Sequence, residues 1–378
     1  MTATPSTKLQ LLEPENIQNL ARINGPCVTI KVPGFHPGES AGTRAALLRQ
    51  LAQKAAADLG EFSRSRSAAE AAKALDNLVR SVDEGHGGPG LTLFCAPGME
   101  AAYLTPQVTE QTTVGNHFHL VPVIRVAMAA HDICILGLSQ KRVRAWRATA
   151  SGVTEVPLPA GVPASLEAAG GYDRPDHTLE NRSPSAATAK RGIRFGTMSD
   201  HDDANEYMHK FMLLVAQGIR NAFRNVPVFL VGVREDLQEF RNAAKDATVF
   251  DAEWHTNPEH CSLAEVEAHA RAAANHEYYK QAEAIAREVI GGKNPVMIDA
   301  MEILAAAREG RVHQVFIAEQ AADTAERPPE SGVHKGEDVL NLAAVEALSK
   351  GAEVWTFPGS SLAAVGLAGS PIAAMPRY

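Results

Sequence analysis

The run Asp132-Ile133-Cys134-Ile135-Leu136-Gly137-Leu138-Ser139, followed by Gln140-Lys141-Arg142 and then Val143-Arg144-Ala145-Trp146-Arg147, decides the fold. Two short apolar runs about a compact polar turn predict a β-hairpin. A polar stretch follows over residues 168–200, then a helical pattern over residues 203–223. The apolar run Val226-Pro227-Val228-Phe229-Leu230-Val231-Gly232-Val233 then reads as a buried return strand. Hairpin, exposed loop, helix and return strand make one α/β module. The loop is too long for a plain connection, and segments of that length in compact domains are functional or disordered.

Upstream, residues 14–23 predict a short helix with Ile17 and Leu20 on one face, and Cys27-Val28-Thr29-Ile30-Lys31-Val32 a strand fenced by Pro26 and Pro33. Residues 43–59 and 68–82 carry apolar stripes at helical spacing, through Leu47, Leu48 and Leu51 and through Leu75, Leu78 and Val79. Residues 91–96 and 101–104 read as strands, and residues 119–124 lead out toward the hairpin. Downstream, helices are expected over 235–244 and, as a long Ala-rich connector, over 258–289, with Gly291-Gly292 ending the latter. The last third alternates: a helix over 299–308, the strand Val312-His313-Gln314-Val315-Phe316-Ile317-Ala318, a helix over 338–350, the strand Glu353-Val354-Trp355-Thr356-Phe357, and a final strand over 371–378. Alternation with short glycine joints predicts a small α/β/α sandwich. The expected division is an N-terminal α/β domain over 1–127, a middle domain over 128–257 with its loop at 168–200, a helical connector over 258–292, and a C-terminal domain over 293–378.

A chain of 378 residues with net charge −8 and no long basic tract is not built as a general nucleic-acid coat, because phosphate affinity rests on Lys and Arg. A local basic patch on an acidic body stays open. Cys27, Cys95 and Cys134 lie in apolar runs and read as reduced buried thiols; with Cys261 they form no paired metal-ligand spacing. The first residues lack a charged start and an apolar core, so no secretory signal is expected. No apolar run reaches spanning length, so no membrane partner is expected and the cytoplasm is the expected compartment.

No phosphate-binding glycine loop, dinucleotide fingerprint or hydrolase elbow occurs, and no cofactor is expected. The densest ionisable cluster is Asp200-His201-Asp202-Asp203 with Glu206 and His209. It suits either a metal or an acidic helix start that satisfies free N–H groups. His255, His260, His269 and His276 dot the connector without a close helical pair. Ser183 and Ser185 have no base beside them. Arg44, Arg49, Lys54, Arg64 and Arg66 give the N-terminal helices a basic side, which is a solvated face or an RNA contact. The 168–200 loop carries Arg174, His177, Arg182, Lys190, Arg191 and Arg194 between Gly170-Gly171 and Gly192. Cations on an exposed loop meet phosphates, so Arg174, Arg182, Lys190, Arg191 and Arg194 are the candidate RNA-binding residues.

The C-terminal run Ala305-Ala306-Ala307-Arg308-Glu309-Gly310-Arg311-Val312-His313-Gln314-Val315-Phe316-Ile317, the later Glu337-Asp338-Val339-Leu340-Asn341-Leu342, and the ending Gly369-Ser370-Pro371-Ile372-Ala373-Ala374-Met375-Pro376-Arg377-Tyr378 resemble the last domain of archaeo-eukaryotic peptide-chain release factors and Pelota. Gly25-Pro26-Cys27-Val28-Thr29-Ile30 and Leu138-Ser139-Gln140-Lys141-Arg142-Val143 are similar to the bacterial branch of that superfamily. The resemblance implies three domains, with a ribonuclease-H-like middle domain and a last domain folded like kink-turn-binding ribosomal proteins, which often docks partners. In the release factors the middle loop carries Gly-Gly-Gln and promotes ester hydrolysis. Here Gly170-Gly171 precedes Tyr172, Gly87-Gly88 precedes Pro89 and Gly291-Gly292 precedes Lys293, so no residue inherits that role and hydrolysis is not expected. The expected function is a ribosome- or tRNA-binding factor. Its rivals are a metal-dependent enzyme acting on RNA or a nucleotide through residues 200–206, and a protein-docking adaptor built on the C-terminal domain.

Overall fold

The structure is a computed structural model that describes residues 9–34, 41–82, 90–106, 108–149, 152–169, 199–245, 248–292, 295–324, 331, 333–334 and 337–377. It divides into two compact units. One joins residues 1–131 and 150–152 to residues 274–378, and the other comprises residues 132–149 and 153–273.

The first unit opens with β1 (Gln10–Leu11), α1 (Pro14–Ala21), β2 (Cys27–Val32), α2 (Ala41–Phe62), α3 (Arg66–Ser81), β3 (Leu91–Ala96), β4 (Met99–Leu104), β5 (Gln111–Gly115) and α4 (Val121–Met128). Its sheet runs β1-β4-β3-β2-β5, and β2 pairs antiparallel with both β3 and β5. Strand side chains alternate, so each strand serves two faces. Val28, Ile30, Val32, Leu91, Leu93 and Cys95 bury one face against Leu48, Leu51, Leu59, Leu75 and Leu78 of α2 and α3. Cys27, Phe94 and Ala96 face the other way, into a core shared with α1 and α4.

The same unit ends with α8 (Ala300–Arg308), β11 (Val312–Ala318), α9 (Val339–Ser349), β12 (Glu353–Phe357) and β13 (Ile372–Pro376), numbered after the second unit's elements. The sheet order is β12-β11-β13, with β12 parallel and β13 antiparallel to β11. Val315 and Ile317 face α8 and α9, while Phe316, Trp355 and Phe357 pack on Tyr278, Ala282 and Ala286 of the preceding helix. That is an α/β/α sandwich, and the long connector supplies one of its layers. Asp338 caps α9 by accepting from the Leu340 N–H at 3.0 Å, and Asp299 caps α8 in the same manner.

The second unit contains β6 (Ile133–Leu138), β7 (Arg144–Thr149), β8 (Gly152–Val156), α5 (Ser199–Ala222), β9 (Val228–Gly232), α6 (Arg234–Ala243) and β10 (Val249–His255), and α7 (Leu263–Ile290) starts in it. The sheet order is β10-β9-β6-β7-β8. β6 and β7 are the antiparallel hairpin, and β9 and β10 add on the other side in parallel. An initial meander followed by crossover strands parallel to the first is the order of a ribonuclease-H-like sheet. Phe211, Met212, Val215 and Ile219 of α5 bury against Cys134, Leu136, Leu138, Val228 and Leu230. Gly137 is required within β6, because a Cβ there would lie 2.7 Å from the Pro258 Cβ and 2.8 Å from the Trp146 ring.

The structure adds elements that the sequence left unassigned and corrects the reading of Arg44. Residues 121–128 form α4, although Val121, Val123, Ile124 and Val126 are β-branched; Pro122 in its first turn and burial of its apolar face favour the helix. β1, β5 and β8 carry too few large apolar residues to register as strands. β10 runs seven residues, Val249–His255, with a register shift against β9 between Val249 and Glu253. Arg44 belongs to no solvated face; it is 7% exposed, whereas Arg49, Lys54, Arg64 and Arg66 are exposed.

Candidate functional site

The candidate RNA-binding residues Arg174, Arg182, Lys190, Arg191 and Arg194 lie outside the described residues, as do His177, Ser183 and Ser185. The two anchors of their segment are described. Before it, Val143 N–H donates to the Ala164 carbonyl at 2.8 Å and Leu166 N–H to the Gln140 carbonyl at 2.9 Å, fastening the hairpin turn to residues 157–169. Leu158, Val162, Leu166 and Ala169 pack on the core beside α5, which receives the chain afterwards. The side chains of residues 200–205 also lie outside the described set. Glu206 forms an exposed ion pair with Lys210 at 2.6 Å, one helical turn on. His209 is 3.7 Å from Glu239, His255 is 2.9 Å from Glu253, and His269 stacks on Trp254 with ring centres 4.1 Å apart. Among the described residues, no three His, Cys, Asp or Glu side chains converge on a metal position.

Arg144 lies 4.5 Å over the Trp146 ring, pairs bidentately with Glu155 and donates to the Pro258 carbonyl. Its hydrogen bond to Glu155 raises the guanidinium pKa, and the same bond lowers that of Glu155. This cation is fixed within the sheet, whereas Lys141 and Arg142 at the hairpin turn are exposed. The buried thiols of Cys27, Cys95 and Cys134 are pushed up to about 12 by burial, which keeps them inert.

A site that the sequence reading missed lies in the first unit. A cavity of about 500 Å³ is bounded by β2 and β5, by residues 117–125, by residues 319–324 after β11 and by the start of α9. Its carboxylates are engaged. Glu319 accepts from Arg125 Nε, the Tyr279 hydroxyl and the Thr356 hydroxyl at 3.2, 3.0 and 2.8 Å. Glu337 accepts from the N–H groups of Asn116 and His334, and Asp338 from those of Asp323 and Leu340. Burial raises the Glu337 carboxyl, but His117 and those two N–H groups outweigh it and leave it below its ordinary value. His117 and His119 each sit 3.8 Å from a carboxylate, Glu337 and Asp338 respectively. Asn341 accepts from the N–H groups of Leu120 and Val121 and donates to the Phe118 carbonyl, so α9 holds the first turn of α4. Lys31 lies on the polar face of β2. Burial pushes its amine down to about 8, against the opposing pull of Glu319. An apolar strand interrupted by a lysine was the one signal available from sequence.

Comparison with known proteins bears on the middle of the chain. Residues 134–311 match the family described as bacterial archaeo-eukaryotic release factor family 3. That stretch is similar to this bacterial family. The match begins in β6, takes in the segment with the five candidate cations and ends before β11, covering just under half of the chain. It agrees with the bacterial branch indicated by Leu138-Ser139-Gln140-Lys141-Arg142-Val143. A search of curated proteins gave no match. Among solved structures, Archaeoglobus fulgidus Pelota is 13% identical, with 98% of this chain and 94% of that one covered and a TM-score of 0.38. Saccharomyces cerevisiae Dom34, described as a translation termination-like factor involved in RNA quality control pathways and interacting with Hbs1, is 8% identical over 99% and 98%, with a TM-score of 0.37. An archaeal translation termination factor, aRF1, is 14% identical over 97% and 99%, with a TM-score of 0.24.

Proposed function

We propose that the protein is a release-factor-like factor that binds the ribosome or tRNA in a translation-related role. The observation that supports this most is the family match over residues 134–311, the part of the chain that bears the long basic segment. In this reading Arg174, Arg182, Lys190, Arg191 and Arg194 meet phosphates and give affinity without base readout. The working division is an N-terminal domain over 1–127, the middle domain over 128–257, a connector over 258–292 and a C-terminal domain over 293–378 that offers a surface to a protein partner. Since Tyr172 stands where a Gly-Gly-Gln loop would place its glutamine, the factor works without that ester-hydrolysis motif. The cytoplasm is the compartment this role requires. No helix among the described residues is long and apolar enough to cross a membrane.

The reading is tested by sedimenting the purified protein with ribosomes. Co-sedimentation at low salt that is lost as salt rises supports it. A protein that stays in the supernatant at every salt concentration, with tRNA as well as ribosomes offered, refutes it. Peptide release in a reconstituted assay that is abolished by Gly171→Ala or Tyr172→Ala would overturn the statement on hydrolysis.

A further inference from the structure

Lys31 is 3% exposed and lines the cavity of the first unit. Among the described residues its ammonium has no hydrogen-bond acceptor and no ion pair; Glu319 acts on it only through space. A buried charge without a partner is costly, and buried cations are ordinarily paired or hydrogen-bonded. The register supplies its neighbours. Lys31 stands opposite Gln111, and Thr29 opposite Thr113. Cross-strand partners share a face, as do residues two apart, so Lys31, Gln111 and Thr113 all point to the side where they line the cavity. Gln111 and Thr113 likewise have no side-chain partner among the described residues. Thr29 is already used, accepting from the His119 N–H at 3.0 Å. The carboxylates of Glu319, Glu337 and Asp338 are held by Arg125, hydroxyls and backbone N–H groups. What the cavity leaves unspent is a cation and uncharged donors.

We propose that this cavity binds a small molecule through a single oxyanion, a phosphate or carboxylate group, which Lys31 neutralises and Gln111 and Thr113 hydrogen-bond. A volume of about 500 Å³ exceeds what a bare anion needs and suits a small organic ligand. Glu337 and Asp338 on the wall disfavour a second negative group, so the ligand carries its charge at one end. The site does not depend on the ribosomal reading, and either stands without the other.

The test is calorimetric titration of the full chain with inorganic phosphate and, separately, with acetate, in a buffer free of other oxyanions. One-to-one binding of at least one of them at millimolar concentration is expected. Lys31→Met should weaken that binding by about 10-fold or more, the loss expected for a charge-assisted hydrogen bond. Lys31→Arg should retain most of it. Phosphate binding alone assigns a phosphate group, acetate binding alone a carboxylate, and binding of both the shared oxyanion. If Lys31→Met does not fold, the double variant Gln111→Ala, Thr113→Val carries the test and should lose affinity several-fold. Absence of binding to the wild type, or binding unchanged in these variants, overturns the proposal.

Discussion

Lys31 sits in Cys27-Val28-Thr29-Ile30-Lys31-Val32, a run buried along its whole length. Its amine titrates near 8 in the folded chain and near the ordinary 10.5 when unfolded. Between those values the unfolded chain holds a proton that the folded chain has shed, so stability should rise with pH across that window. Lys31→Met should remove this dependence. It should be more stable than wild type at pH 7, by on the order of 2 kcal/mol, with the gap closing toward pH 10.5. Urea titrations at three pH values in an anion-free buffer check this; parallel pH profiles for the two proteins would show that the lysine is not desolvated. Gly137→Ala should cost about 1–3 kcal/mol, because its new methyl meets Pro258 and Trp146. At this scale the sequence was only partly legible. Polar Thr29 and Lys31 alternating with Val28, Ile30 and Val32 signal one dry face and one wet one. What turns the wet face into a cavity is Glu319, Glu337 and Asp338, which come from the other end of the chain. Arg44 was misread for the same reason: helical spacing does not say what covers a given side.

At the scale of elements, long periodic stretches were legible. The hairpin, α5, β9, β11, α9 and β12 all form where apolar spacing and flanking glycines place them. Asp338 begins α9 as a capping residue should, and Leu342 is 2% exposed within its stripe. Asp338→Ala should therefore cost about 1 kcal/mol, read from the denaturant midpoint. Leu342→Asp buries an unpaired carboxylate and should cost several kcal/mol, on the order of a whole domain's margin. An unchanged melting curve for Leu342→Asp would put α9 in the wrong phase. The elements that were missed fall into two physical classes. β5 is Gln111-Thr112-Thr113-Val114-Gly115, whose pairing with β2 makes it a strand despite a polar composition. α4 is helical against its own propensity, held by Asn341 at its start and by burial of Val123, Ile124 and Val126.

At the scale of the molecule, element order was readable and element partnership was not. The connector α7 illustrates the gap. Its composition is polar and Ala-rich, and it reads as a spacer. Yet Tyr278, Ala282 and Ala286 cover Phe316, Trp355 and Phe357, so its second half is a structural layer. The Tyr278 hydroxyl accepts from the Thr356 N–H at 3.0 Å, which ties that layer to the edge strand β12. Likewise, α1 and α4 share one core with α8 and α9, which no local pattern announces.

The central claim is that the segment between β8 and α5 binds ribosomal or transfer RNA through phosphate contacts. Its most direct test is the salt dependence of ribosome binding by wild type and by the triple variant Arg182→Ala, Lys190→Ala, Arg191→Ala. Each neutralised phosphate contributes a slope of about 0.7–0.9 in log affinity against log salt. The triple variant should bind more weakly to every RNA offered, with a slope flatter by about two to three units and an unchanged melting temperature. Binding indistinguishable from wild type at every salt concentration would contradict the claim.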